Sequence, residues 1–178
     1  MIYEKIEISG IVLIKPKAFH DERGSFLEIY NDKEYSPIIG NYDFKQDNIS
    51  YSVKNTIRGL HFQIGESAQA KLCQVLEGRV LDVAVDIRKD SPTFGRYFSV
   101  ELSGENNYQV FIPAGFAHGF SVLSQRAIFL YKCSALYNKD SERSIRYDDP
   151  DLNIDWKITD PVISPKDLES PLLRDLLL

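Results

Sequence analysis

The chain is poor in thiols, in positive charge and in long apolar runs, and each shortage removes a class of function. Its two cysteines, Cys73 and Cys133, form no CxxC pair and no zinc-knuckle spacing, so neither a disulfide framework nor a structural zinc site is indicated. Their apolar surroundings are those of buried, reduced thiols in a cytoplasmic protein. Lys and Arg number 21 against 26 Asp and Glu, a formal net charge of −5. That is the wrong sign for neutralising phosphates, so a nucleic-acid partner is not expected, although a local basic pocket stays possible. No stretch approaches the roughly 20 apolar residues that cross a bilayer, and Met1–Ile6 lacks a signal-peptide core. A membrane partner is therefore not expected. The G-x-G-x-x-G fingerprint of dinucleotide folds is missing too, so no redox cofactor is called for.

What is present reads as strand. From Val80 to Ile87 the residues Leu81, Val83, Val85 and Ile87 alternate with Val80, Asp82, Ala84 and Asp86, a period of two. Glu77-Gly78-Arg79 turns into that run. Further runs are expected at Tyr97–Leu102, Tyr108–Ile112, His118–Leu123 and Ala127–Ser134, punctuated by Ser103–Asn107 and Pro113-Ala114-Gly115. Helical periodicity is weak, with short helices expected only around Asp32–Tyr35 and over Leu172–Leu178. Short strands at near-regular spacing predict a sandwich or barrel. No repeat or linker interrupts residues 1–178, so one domain is expected.

Two spacings sharpen this. Pro113-Ala114-Gly115-Phe116-Ala117-His118 matches the PxGxxH motif of metal-binding cupins. The companion HxH motif is broken, because His61 is followed two places on by Gln63. Seven residues before Gly78, where a cupin carries its anionic ligand, stands Lys71. An ammonium cannot ligate a divalent cation and repels it. The chain resembles a cupin whose metal has been exchanged for a fixed organic cation: an all-β, antiparallel jelly-roll barrel with a few short helices and no metal.

Strand alternation points His61 into such a barrel with Gln63. A core histidine held by hydrogen bonds is the simpler account of an isolated His; Arg58, Lys71 and His118 close by argue for chemistry. Imidazole, with an unperturbed pKa of ~6.5, suits removal of a carbon-bound proton. Tyr131 shares a strand face with Phe129 and Cys133. Taken alone it reads as a buried aromatic, and it gains a role only if its hydroxyl faces the cavity of His61. A phenol with pKa ~10 stays protonated at neutral pH and can donate. Arg23 and Arg58 are candidates to hold a diphosphate through guanidinium forks. His20 reads as an ordinary surface residue.

From Phe19-His20-Asp21-Glu22-Arg23-Gly24-Ser25-Phe26 through Gln46-Asp47-Asn48, Arg58-Gly59-Leu60-His61-Phe62-Gln63 and Gln69-Ala70-Lys71 to Asp149-Pro150, Ile154-Asp155-Trp156 and Ser164–Asp167, the chain resembles the dTDP-4-dehydrorhamnose 3,5-epimerases. The resemblance implies epimerisation at C3 and C5 of a nucleotide-linked 4-keto-6-deoxy sugar, with no cofactor. It implies His61 as base, Asp167 as its supporting carboxylate, Lys71 beside the enolate oxygen and Tyr131 as the opposing acid. Arg23, Glu28, Gln46, Asn48, Arg58, His118, Tyr137, Glu142 and Lys166 fall at substrate-contacting positions. A cytoplasmic homodimer that exchanges an N-terminal strand within Ile2–Leu13 is also implied. Departures are Leu136 for an aromatic, Cys73 for an aliphatic and Lys157 for a proline. Inversion of one carbon only, another nucleotide-linked sugar, a non-catalytic sugar-binding cupin and a metal-dependent oxygenase are the alternatives.

Overall fold

The computed structural model describes residues 1–8 and 10–176. The chain opens with β1 (Ile2–Lys5), β2 (Val12–Lys15), β3 (Ala18–Asp21), β4 (Gly24–Leu27) and α1 (Asp32–Ile39). There follow β5 (Gln46–Val53), β6 (Ile57–Gln63), β7 (Lys71–Glu77), β8 (Arg79–Asp86) and β9 (Tyr97–Ser103). The last elements are β10 (Gln109–Ile112), β11 (Phe116–Val122), β12 (Arg126–Cys133), β13 (Glu142–Ser144) and α2 (Pro165–Leu168). The five strands and the first helix expected from periodicity are all present, with ends shifted by one or two residues, except that α1 runs on to Ile39. The turn expected over Leu172–Leu178 is a 3-10 turn at Leu173–Asp175; Leu177 and Leu178 lie outside the described residues.

The strands form two antiparallel sheets, ordered β1-β2-β10-β7-β12-β5 and β13-β6-β11-β8-β9, with β3 and β4 as a separate hairpin. This is a jelly roll. Val75, Val80, Leu102, Val110, Phe120, Val122 and Phe129 pack between the two sheets. Each such side chain contributes about 1.5–3 kcal/mol on burial. That packing fills one end of the barrel. At the other end polar side chains replace the apolar ones, on the same strands and the same faces. Along β7 the inward positions pass from Val75 in the core to Lys71 in a cavity, and along β12 from Phe129 to Tyr131 and Cys133.

Two glycines make this geometry possible. Gly78, with φ +80°, turns β7 into β8, and a Cβ there would come within 2.0 Å of the Arg126 carbonyl oxygen. Gly59, with φ +125°, lets β6 press on β11, where a Cβ would meet the Gly119 Cα at 2.5 Å. That close approach places His61 directly opposite His118 in the ladder.

β8 is buried on both faces. One face looks into the barrel, while Leu81, Val83, Val85 and Ile87 are covered by Ile145, Leu152, Trp156 and Leu173 of the C-terminal segment. Asp149 pins that segment by accepting from the Leu173 amide at 2.7 Å, and the Trp156 indole donates to the Tyr147 carbonyl at 2.8 Å. Beyond it, Ser164 caps α2 by accepting from the Asp167 amide at 3.2 Å, with Pro165 in the first turn. This irregular strap carries Asp167 to the barrel.

At the N-terminus, β1 pairs with β2 of its own chain in the register Ile2↔Lys15, and β2 in turn pairs with β10. Here the segment expected to cross to a neighbour lies on its own sheet, where β1 forms one of the two edges and β5 the other.

Candidate active site

The open end of the barrel holds a cavity of about 250 Å³. His61 and His118 enter it from the five-stranded sheet; Lys71, Tyr131, Asn48 and Gln46 enter from the six-stranded sheet. An imidazole and a phenol therefore face each other from opposite walls.

His61 Nε2 lies 2.6 Å from Asp167 Oδ1. Asp167 is buried on α2, while about a third of the His61 side chain remains open to the cavity. Burial alone pushes the Asp167 carboxyl up, but the His61 hydrogen bond and charge, the Ser164 hydroxyl and the Gly59 amide outweigh it and hold the group below its ordinary value. An ionised carboxylate only accepts, so it fixes the proton on Nε2 and leaves the Nδ1 lone pair free.

Lys71 is buried, with its ammonium 3.5 Å from the His61 carbonyl oxygen and 5.9 Å from the centroid of the Tyr131 ring. It stands between the His61 backbone and the Tyr131 ring. Burial pushes the Tyr131 phenol up to about 12, with the Cys133 and Cys73 thiols adding to the effect. It is a protonated donor throughout the neutral range. His118 Nε2 is tied to Asp82 Oδ2 at 2.8 Å, and Cys73 Sγ lies 3.9 Å away. These three groups bring ligand-type atoms within 4.8 Å of one another behind the cavity. Burial drives the Cys73 thiol far above its usual range, so it is a neutral, inert group.

At the mouth, Glu142 accepts from Lys166 Nζ at 2.6 Å and from the Tyr137 hydroxyl at 3.0 Å. Burial raises the Glu142 carboxyl, and those two donors more than offset it. Gln46 accepts from the Tyr137 amide at 2.8 Å and donates to Asn48 at 3.0 Å. Gln63, in the broken HxH position, accepts from the Asn138 amide at 2.7 Å and donates to the Ser67 and Leu136 carbonyls. Its side chain ties the loops of the mouth together. Arg58, which lines the cavity, donates from Nε to Ser52 Oγ at 3.0 Å and from Nη2 to the Tyr51 carbonyl at 3.4 Å.

Two expected contacts lie elsewhere. Arg23 pairs with Asp21 at 2.6 Å in the exposed β3–β4 turn, and Glu28 accepts from Asn31 before α1. Neither lines the cavity, so Arg23 and Arg58 do not form one diphosphate clamp within a single chain. The side chains that sequence reasoning passed over are Ser50, Gln69, Phe120 and Phe129, which line the cavity, and Cys133, which sits beside Asn48 there rather than in wholly apolar surroundings. Parity along β5 from Gln46 and Asn48 was the signal for Ser50.

Comparison with known proteins follows the same outline. A family described as dTDP-4-dehydrorhamnose 3,5-epimerase matches residues 5–175. The dTDP-4-dehydrorhamnose 3,5-epimerase of Salmonella typhimurium is 50% identical over 100% of this chain and 98% of its own. The crystal structure of dTDP-4-dehydrorhamnose 3,5-epimerase from Elizabethkingia anophelis superposes with a TM-score of 0.94 at 49% identity, covering 98% of this chain and 97% of that one. That of the Legionella pneumophila dTDP-6-deoxy-D-glucose-3,5-epimerase, in complex with dTDP-4-keto-L-rhamnose, gives 0.95 at 48% identity over 98% and 94%.

Proposed function

The chain belongs to the dTDP-4-dehydrorhamnose 3,5-epimerase family and is an isomerase, and from that premise we propose how it inverts C3 and C5 of dTDP-4-dehydro-6-deoxy-D-glucose to give dTDP-4-dehydro-L-rhamnose. A hydrogen next to a ketone is acidic because the resulting anion spreads onto the carbonyl oxygen. Inversion needs a base on one face of the ring, a cation or donor at that oxygen, and an acid on the other face. In a gluco-configured chair the hydrogens at C3 and C5 are both axial on one face. One base and one opposed acid therefore serve both carbons.

His61 Nδ1 takes the proton, and Asp167 stabilises the imidazolium that forms. Lys71 balances the charge on the C4 enolate oxygen. Tyr131 delivers a proton to the opposite face, and exchange with solvent then resets both groups. The observation that carries this reading is the placement of the His61–Asp167 pair and Tyr131 on opposite walls of one cavity, with the Lys71 ammonium between them. Gln46, Asn48, Arg58, His118, Tyr137, Glu142 and Lys166 hold the substrate, with the sugar toward His61 and the nucleotide toward Tyr137.

Arg23 and Glu28 reach a substrate only if a second copy supplies them. The β3–β4 hairpin exposes Phe19 and Phe26, and the edge strand β5 exposes Ile49, Tyr51 and Val53. Apolar groups at an unpaired sheet edge favour association. They support a homodimer, in which β1 trades its place on β2 for the equivalent place on the neighbour. Among the described residues no helix is long and apolar enough to cross a membrane; a cytoplasmic site of action is part of the proposal.

Turnover of the dTDP-linked keto sugar in deuterated water tests the reaction. Label at both C3 and C5, with L-configured product by NMR, is expected. Label at one carbon only would replace it with a mono-epimerase, and binding without label would leave a sugar-nucleotide sensor.

A further inference from the structure

Among the described residues, Ser50 Oγ is the buried side-chain polar atom that finds no hydrogen-bond partner. Its neighbours on the same face of β5 are satisfied: Asn48 accepts from Gln46 at 3.0 Å, and Ser52 accepts from Arg58 at 3.0 Å. Ser50 sits between them and lines the cavity. It faces Phe129 across the ladder and lies diagonal to Tyr131. Phe129 in turn stacks on Phe120 with ring centroids 4.4 Å apart. A hydroxyl left unpaired beside an apolar floor is a net cost to the free protein, where alanine would fit without it. The cost is recovered when a bound molecule brings a partner into the cavity, since a serine hydroxyl swings readily among its staggered positions.

We propose that Ser50 is a substrate-contacting residue whose hydroxyl hydrogen-bonds the ring hydroxyl at C3, next to the ketone, and thereby favours inversion at that carbon. The proposal rests on the epimerase reading. The choice of oxygen follows from the sugar's chemistry. C5 bears a methyl group, which the Phe120–Phe129 floor suits, and no hydroxyl. C3 bears a hydroxyl that changes sides when the carbon inverts. The C4 oxygen already has the Lys71 ammonium. A side chain that grips the C3 hydroxyl therefore acts on one of the two inversions, whereas one that served the C4 oxygen would act on both equally.

Ser50→Ala, studied beside the wild type, separates these roles. Three quantities are measured: the thermal midpoint, kcat/KM for the dTDP-linked keto sugar, and the rates of deuterium uptake at C3 and C5. The expected result is an unchanged or higher midpoint, a kcat/KM lower by about tenfold, as for the loss of one hydrogen bond, and uptake at C3 slowed more than at C5. A kcat/KM within twofold of wild type overturns the proposal. So does equal slowing at both carbons, and so does a midpoint several degrees lower, which would make the hydroxyl a structural group. Failure of the epimerase reading looks different: the wild type itself would then take up no label, and the proposal would fall with it.

Discussion

His61 and Asp167, 106 residues apart in sequence, meet at 2.6 Å between Nε2 and Oδ1. The contact joins β6, an inner strand of the five-stranded sheet, to the four-residue helix α2 of the C-terminal strap. The strap thus covers the outside of the sheet and also holds a carboxylate against His61, the proposed base.

Asp167→Asn keeps the shape of that pair and removes its charge. The imidazolium loses its counter-charge and the tautomer is no longer imposed, so kcat is expected to fall by about a hundredfold or more. The pair also leaves a mark on stability. The folded carboxyl is held below its ordinary value of 3.8, so its stabilisation is complete above that pH and is lost as pH falls through the folded value. Thermal midpoints of wild type and variant recorded against pH should converge below pH 3.8. Parallel curves would show that the charge is not what holds the contact.

Lys71→Met keeps most of the volume of the stem and deletes the ammonium. Loss of one preorganised donor at a developing oxyanion is typically worth about 2.7–4 kcal/mol, so kcat should drop about a hundredfold to a thousandfold with KM little altered. Steady-state kinetics decides it: a change confined to KM would make Lys71 a binding residue.

Tyr131→Phe leaves the proposed base in place and removes the proposed acid. Deuterium uptake from solvent into recovered substrate should persist, because His61 can return a proton to the face it came from. Formation of inverted product should fall by about a hundredfold or more. The phenol itself, pushed up to about 12 by burial, predicts a wild-type-minus-variant absorbance difference with no phenolate band through about pH 10. A band in the neutral range would mean a far less buried hydroxyl.

Arg23→Ala tests the second copy. The side chain lies outside the cavity of its own chain, so a lone subunit gives it no route to substrate. If a neighbour's hairpin completes the site, the variant should raise KM about tenfold or more, through loss of charge-assisted bonds, with kcat nearly unchanged. Light scattering should give twice the chain mass. A wild-type KM in the variant, or a monomer with full activity, would remove the hairpin from the site.

Much of this was legible along the chain. Period-two alternation located β8, and apolar runs bounded by Gly- and Pro-containing turns located β9, β10, β11 and β12, all to within two residues, because much of each strand packs into the core. The ammonium at position 71 was legible as well. The cupin spacings mark which inward positions meet at the open end, and Lys71 is one of the residues that line the cavity there.

Other features depend on contacts between distant segments, which local pattern does not encode. β8 reads as a strand with one polar face, yet Asp82 on that face is buried against His118 and the other face lies under the strap. The strap has neither a period of two nor one of 3.6, since its order comes from single pins such as Asp149 to Leu173.

Residue types and their alternation pointed by themselves to the barrel and to a cation at position 71, because strand faces follow from which side chains can lie in water and which cannot; the candidate proton carriers came with the family resemblance. Only the tertiary structure decided that Asp167, which the resemblance had paired with His61, comes within 2.6 Å of it, that Tyr131 lines the same cavity from the other sheet, and that Arg23 stands apart. Those are distances across the barrel, set by how two sheets and a strap pack, and a difference of a few ångströms separates a proton relay from a buried aromatic.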